Sequence, residues 1–516
     1  MQAFLKRFFP GAGGFLSVLL PVVLIGACVQ NPVTGKKELL LVSESWELQV
    51  GKQQYLPLRQ SQGGDYVVDP GVEAYVKKVG QRLAAKSDRK LPYEFNVINS
   101  SVPNAWALPG GKISINRGLL TALKSEAELA AVLGHEIVHA AAKHGARGQT
   151  RGLALQTLVM TASIAGAKKG YGELAQMGST IGAQIVNSQY GRKAELESDR
   201  YGMEYMARAG YSTQGAVDLQ RTFVKLSEGQ KSDWLSGLFS SHPPSQARVK
   251  ANIATGQKLP SGGNVGADRY RKVMARLFKT QTAYENFDKA QKALAAGKRQ
   301  EAMTLARKAI RGEPREGHFY SFVGDIAHTQ KDYRSAKKNY DKAISLNSEF
   351  FYYYLQRGKV NDALRQTKAA RSDYARSLKL MPTSDAQTAL GRFAERDGNR
   401  QAAQRFYSLA AQAGGKAGEQ ARSALLRLNP QNALTVRKGT TRKGTLAFEV
   451  INQTSQPVSN VVLGITTGPG QRVQQKKLRG VIQPGQTRVI DTGQKFSREQ
   501  TIRIEVKVLQ AKQVSS

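Results

Sequence analysis

The chain has 516 residues, enough for several domains that each bury their own core. Its single cysteine, Cys28, excludes an intrachain disulfide and with it the small disulfide-stapled scaffolds. The net charge of +37 favours anionic partners, but no nucleic-acid module or aromatic-interleaved basic motif accompanies it, so lipid headgroups, lipopolysaccharide or acidic protein surfaces are expected and nucleic acid is not.

In chain order, Lys6 and Arg7 precede an apolar run from Phe15 to Ala27, interrupted by Pro21. That run is too short for an ordinary transmembrane helix and has the shape of an export signal, so residues 1–27 are read as a signal peptide. Ile25-Gly26-Ala27-Cys28 resembles the bacterial lipobox, which implies a lipid on Cys28 after cleavage. By the same resemblance, Val29 in place of aspartate implies a periplasmic protein anchored to the outer membrane. A short tether is expected next. Asp69-Pro70 then starts an amphipathic helix with Val72, Tyr75, Val76, Val79 and Leu83 on one face. Tyr93, Phe95 and Val97 alternate as a strand, and Ile113 and Ile115 as another, with Pro109-Gly110-Gly111 turning into the second. Asn104, Ala105, Trp106, Ala107 and Leu108 are expected at the sheet edge, beside the helix that follows.

That helix carries Gly134-His135-Glu136-Ile137-Val138-His139. His135 and His139 are four residues apart, so they share a helix face and can grip one zinc ion, while Glu136 can take a proton from a water held there. Ser125 followed by Glu128 matches a capping box, and Leu129, Val132 and Leu133 supply an apolar stripe. A metzincin would need glycine at 142 and histidine at 145, where this chain has Ala142 and Gly145, so a third ligand must come from elsewhere. Glu195 is the candidate. Asp199, one turn on, shares its face and can accept the free ring N–H of a ligating histidine, whereas Glu197 points away.

These motifs resemble the gluzincin metallopeptidases that include the HtpX, Oma-type and CAAX-prenyl proteases. The residues that carry the resemblance are Asn104–Gly111, Gly118-Leu119-Leu120, the histidine helix, Glu195 with Asp199, and Ser241-His242-Pro243-Pro244 followed by Arg248. It covers roughly residues 31–255 and implies a zincin-type α+β metallopeptidase domain, mostly helical, over residues 28–265. It further implies one zinc per chain on His135, His139 and Glu195, Glu136 as general base, and a substrate peptide held along Asn104–Ala107 by β-augmentation. In this family the His242 region faces the metal. His242 is therefore a candidate oxyanion donor or a fourth ligand that keeps the enzyme latent, and Arg248 a candidate catalytic partner. His144, His318 and His328 are read as structural or exposed.

Residues 152–187, rich in Ala, Gly, Ser and Thr, are expected to form a packed helical pair or a lid over the cleft. Over 280–430, Gly324, Ala336, Tyr340 and Ala343 recur as Gly358, Ala370, Tyr374 and Ser377 and again as Gly391, Ala403, Tyr407 and Ala410. A period of about 34 residues with these small and aromatic positions is the tetratricopeptide signature, an α-solenoid. With these repeats the likeness is greatest to the BepA-like periplasmic proteases. Leu446, Phe448 and Val450, then Val461, Leu463 and Ile465, then Ile502, Ile504, Val506 and Val508 alternate over 434–516, as in a small β-sandwich. The whole reads as a multidomain endopeptidase of the cell envelope that cleaves misfolded or stalled envelope proteins held by its repeats. The alternative is a chaperone or assembly factor for outer-membrane proteins, working with the outer-membrane assembly machinery.

Overall fold

The computed structural model describes residues 28–150, 190–229, 239, 242–429, 434–441, 443–454, 457–466, 473–495 and 504–513. The expected signal peptide, the 152–187 segment, Ser241 and Ile502 lie outside the described residues. Packing divides the chain into two compact units, Met1–Gln366 and Thr367–Ser516.

The first unit opens with a hairpin of β1 (Cys28–Gln30) and β2 (Lys37–Leu39), paired antiparallel. This replaces the expected tether. Asn31 donates from Nδ2 to the Ala142 carbonyl at 3.0 Å, and Val33 is buried in the main core, so the segment is seated on the domain. Next come α1 (Glu44–Ser61) and α2 (Pro70–Ala84). Asp69 caps α2 through the Gly71 amide, Pro70 sits where no intrahelical N–H is needed, and the five expected apolar residues are buried.

The sheet has three strands in the order β3 (Glu94–Ile98), β5 (Lys112–Asn116), β4 (Ala105–Leu108). β3 runs parallel to β5, and β4 antiparallel to it. Gly110 and Gly111, at φ of 77° and 79°, make the β4–β5 turn in the left-handed region that favours glycine. The alternation read from Tyr93, Phe95 and Val97 is only half of the pattern, because Asn96 and Ser114 are buried too and both faces of the sheet are covered. Trp106 and Leu108 pack on Val50, Tyr55 and Leu58 of α1, while Ala105 and Ala107 join the main core on the other side.

α3 (Arg117–Leu120) leads to α4 (Glu126–Ala141), the histidine helix. Ser125 accepts the Glu128 amide at 3.1 Å, and Glu128 reaches back to the Lys124 amide, one residue short of a strict capping box. All sixteen residues of α4 are buried. Around it lie α5 (Arg192–Arg208), α6 (Gln214–Gly229), α7 (Gln246–Gly256) and α8 (Ala267–Val273).

The helical hairpins follow as α9 (Ala275–Ala295), α10 (Arg299–Gly312), α11 (Gly317–Thr329), α12 (Tyr333–Leu346) and α13 (Phe351–Ala363). They are not a free-standing array. Leu277, Ala283, Tyr284, Ala309 and Phe319 belong to the same buried cluster as the sheet and α4, and the Arg117 guanidinium stacks 3.4 Å from the Tyr284 ring centre. Gly324 explains its place in the repeat: a Cβ there would meet the Tyr340 ring at 2.8 Å.

The second unit contains α14 (Thr367–Leu380), α15 (Ser384–Arg396), α16 (Arg400–Ala411) and α17 (Gly415–Leu428). The same glycine–tyrosine contact recurs between Gly391 and Tyr407. Two antiparallel three-stranded sheets close the chain, β10 (Thr487–Asp491)–β7 (Leu446–Asn452)–β6 (Leu434–Thr440) and β11 (Glu505–Gln513)–β8 (Val458–Thr466)–β9 (Gln474–Lys477). Their facing residues, among them Phe448, Val450, Leu463 and Ile482, form one core, as a sandwich requires.

Candidate metal centre

Two helices with glycine at the crossing build this centre. Gly134 of α4 faces Gly202 of α5, and with no side chain on either the backbones come into direct contact. That approach brings the histidine face of α4 onto the acidic face of α5. His135 Nε2 lies 3.0 Å from His139 Nε2, 3.5 Å from Glu195 Oε2 and 3.3 Å from His242 Nδ1. His139 Nε2 is 3.4 Å from Glu195 Oε1, and His242 Nδ1 is 3.2 Å from the same oxygen. All four residues are buried, and one donor atom from each falls within 4.8 Å of the others.

This donor set fits a metal. Ligands about 2.0–2.2 Å from a zinc ion at tetrahedral angles lie roughly 3.3–3.5 Å from one another. The observed spacings cluster there, with three imidazole nitrogens and a carboxylate as zinc prefers. Charge points the same way. Burial pulls the His135 ring toward neutrality, but Glu195 and Asp199 outweigh it and push the ring up to about 10. Burial raises Glu195, yet His242 and His135 more than reverse this and hold it ionised. A cluster that draws positive charge so strongly is one in which a bound cation replaces shared protons.

The outer contacts orient the donors. His135 Nδ1 donates to Asp199 Oδ1 at 2.9 Å, which leaves Nε2 as the free donor atom. Asp199 is in turn held by Arg248, whose Nε and a terminal nitrogen both reach it at 2.7 Å. The other terminal nitrogen contacts Glu195 at 2.9 Å. Arg248 sits in the first turn of α7, with the Ser245 cap just before it, and is buried. Arg248, expected as a catalytic partner, thus braces two carboxylates, and it lines the same cavity as Glu136 and His242.

Glu136 is buried, its Oε2 has no hydrogen-bond partner among the described residues, and burial raises its carboxyl. Its Oε1 is 3.6 Å from His242 Nε2, so the two nitrogens of His242 span Glu136 and Glu195. The adjoining cavity, lined in part by Ala131, Val132, Leu219 and Phe223, holds only about 40 Å³. That is room for a few waters.

Two neighbours were missed in the sequence. His144, expected as structural or exposed, is buried against the ligands: its Nδ1 is 2.9 Å from His139 Nδ1 and its Nε2 is 3.4 Å from Glu197. Tyr190 stacks on His139 with ring centres 4.0 Å apart. His144 follows the motif by five residues, a spacing that could have signalled it; nothing local marks Tyr190. His318 is bonded to Tyr353 and to the Gly63 carbonyl, far from this centre in its contacts. Of the expected substrate strand, Ala105–Leu108 form β4, which among the described residues is bonded within the sheet on one side only, and Ala105 lines the same cavity as Glu136.

Residues 70–253 match peptidase family M48, and residues 317–350 match a tetratricopeptide repeat. The chain carries an M48 peptidase domain. It is 31% identical over 203 residues to mitochondrial metalloendopeptidase OMA1 of Arabidopsis thaliana, covering 39% of each chain. It is 30% identical to the OMA1 protein of Schizosaccharomyces pombe over 42% of this chain and 64% of that one. A putative beta-barrel assembly-enhancing protease of Vibrio cholerae is 29% identical over 44% of this chain and 45% of its own length. The match thus spans between about two fifths and two thirds of these relatives.

Proposed function

We propose that this chain is a zinc-dependent endopeptidase of the bacterial cell envelope, cleaving misfolded or stalled envelope proteins engaged by its repeats. The observation that carries the chemistry is the buried His135–His139–Glu195 set with an unpartnered Glu136 oxygen beside it. A bound zinc would supply Lewis acidity to a substrate carbonyl and lower the pKa of a water. The chain's own residues do the rest. Glu136, raised by burial, accepts the proton from the attacking water and returns it to the departing amide nitrogen. Asp199 and Arg248 keep His135 in one tautomer and orientation. The one-sided edge of β4 would hold a client's main chain beside Glu136.

His242 fits as a fourth donor more closely than as an oxyanion donor, because its Nδ1 is as near to His135 and Glu195 as those are to each other. In that position it would shut out water and hold the enzyme latent. The lipid on Cys28 and the outer-membrane location belong to this proposal, supported by the lipobox-like residues 25–28 and by the name of the Vibrio relative. The same name favours the second reading, an assembly factor in which proteolysis is secondary. Glu136→Gln separates the two: it should keep zinc and lose peptide cleavage, with envelope proteins accumulating in cells. If cells carrying it behave as wild type, the assembly role stands without the peptidase.

A further inference from the structure

The C-terminal half carries most of the charge excess, with 32 Lys/Arg against 16 Asp/Glu over residues 261–430 and 14 against 4 over 431–516. The more informative cations lie in the mildly basic peptidase domain. An open groove of about 550 Å³ runs between the β1–β2 turn and the outer side of α5. Lys36, Arg192, Lys193 and Arg200 line it, with Leu196 and Tyr201 between them. Arg200 is paired with Glu204, whereas Lys36, Arg192 and Lys193 are exposed and have no ion pair among the described residues. Glu197, the groove's only acidic lining residue among the described residues, is already engaged by Arg147 and His144. The groove therefore presents cations in clear excess.

Exposed apolar side chains accompany them. Val29, Leu39 and Leu41, on and just after the hairpin, are among the exposed large hydrophobic residues. In the hairpin register Leu39 is the partner of Cys28 and Lys37 the partner of Gln30, which places an apolar and a basic residue side by side on β2. The inward residue Glu38 is taken up by Arg147 and by Asn31. Asn31 is tied to the end of the histidine helix, and the Leu41 amide to Thr150, so the hairpin is fixed to the peptidase domain. Whatever this edge touches is held against the domain without a flexible spacer.

We infer that this face, the β1–β2 hairpin with the groove beside α5, docks on an anionic lipid surface. Unpaired cations meet headgroup phosphates while Leu39 and Leu41 enter the headgroup boundary, the combination by which peripheral proteins hold a membrane. The inference does not rest on the peptidase reading or on a lipid at Cys28. Glu195 and Asp199 leave α5 on its buried side and Lys193, Leu196 and Arg200 on its outer side, so the membrane would lie one helix away from the metal centre.

The test uses the full chain from residue 28 with Cys28→Ser, so that no acyl chain contributes, sedimented with vesicles of phosphatidylcholine alone or mixed with phosphatidylglycerol. Binding is expected only to the mixed vesicles. Lys36→Gln/Arg192→Gln/Lys193→Gln should weaken it about a hundredfold, roughly fivefold for each charge near the surface. An equal change of charge on α8 and the helical hairpins, Lys272→Gln/Lys289→Gln/Lys308→Gln, should weaken it by no more than about fivefold. Both sets are exposed, and unchanged melting temperatures establish that the variants are folded. Equal loss in the two triples, no loss in the groove triple, or absence of binding to anionic vesicles overturns the inference. Release by inorganic phosphate at constant ionic strength also overturns it, because the groove would then be a site for the free ion.

Discussion

Gly202→Ala isolates the role of helix approach in building the metal centre. A Cβ at 202 would lie 3.0 Å from the His135 nitrogen, 3.1 Å from the Gly134 carbonyl carbon and 3.3 Å from the His135 Cα. All three are backbone atoms, so no side chain can swing aside. Restoring ordinary contact requires α4 and α5 to part by about 0.5 Å. Alanine in a helix interior contributes about 1 kcal/mol over glycine, and overpacking costs about 1–3 kcal/mol, so net stability should fall by no more than about 2 kcal/mol. The ligand geometry is less forgiving. His135 and His139 ride on one helix and Glu195 on the other, whereas metal–ligand distances tolerate only about 0.2 Å. Zinc affinity should therefore fall about 10- to 100-fold, the range seen when supporting contacts are lost. Competition with a chromophoric chelator measures it. Gly256→Ala is the control, because its Cβ would meet Met203 and Thr213 at 3.5 and 3.8 Å, ordinary contact distances. Wild-type affinity in Gly202→Ala, or equal loss in Gly256→Ala, would refute the argument.

His135→Ala, His139→Ala and Glu195→Ala should each abolish stoichiometric zinc, read by metal analysis of the purified chain; full zinc retained without either histidine sinks the ligand assignment. His242→Ala should raise peptide cleavage if the ring is a removable fourth donor, whereas loss of turnover by about a hundredfold with zinc retained would reassign it to the oxyanion. Asp325, bonded by the Tyr340 and Tyr352 hydroxyls, is pushed up to about 6 by burial. The folded chain then binds more protons than the unfolded one between its ordinary value and about 6, so this group costs stability as pH rises through that window, and the full cost remains at neutral pH. Asp325→Asn should gain about 1–2 kcal/mol at pH 7 and little at pH 4 in denaturant titrations, allowing for partial solvent screening. Removing Thr367–Ser516 should leave zinc stoichiometry unchanged and reduce client capture. Deletion from residue 280 should instead unfold the peptidase domain, because Ala283, Tyr284, Ala309 and Phe319 are part of its core; limited proteolysis distinguishes the two.

What could be read from the chain was what recurs over short spacings. The histidine motif, the Ser125 cap and the Asp69-Pro70 start each depend on contacts within a turn or two, and the repeats announce themselves because the Gly324–Tyr340 and Gly391–Tyr407 contacts repeat at a fixed period. What could not be read depends on contacts with no local period. Arg248 and Asp199 are 49 residues apart, so nothing in the spacing distinguishes a brace from a catalytic partner. Both faces of the sheet are buried because α1 covers one of them, which alternation along a single strand cannot reveal. The same holds for Tyr284 and Phe319: they look like repeat positions along the chain, yet in space they join the buried cluster of the sheet and α4, with Arg117 stacked on Tyr284. Glu195 shows where the two kinds of information meet. Its spacing from Asp199 marks an acidic helix face, but only the Gly134–Gly202 contact, between residues 68 positions apart, turns that face into the third side of a metal site. A glycine in mid-helix costs stability unless another backbone needs its space, so two such glycines in helices already suspected of holding one ion are the sequence-level sign that the helices touch.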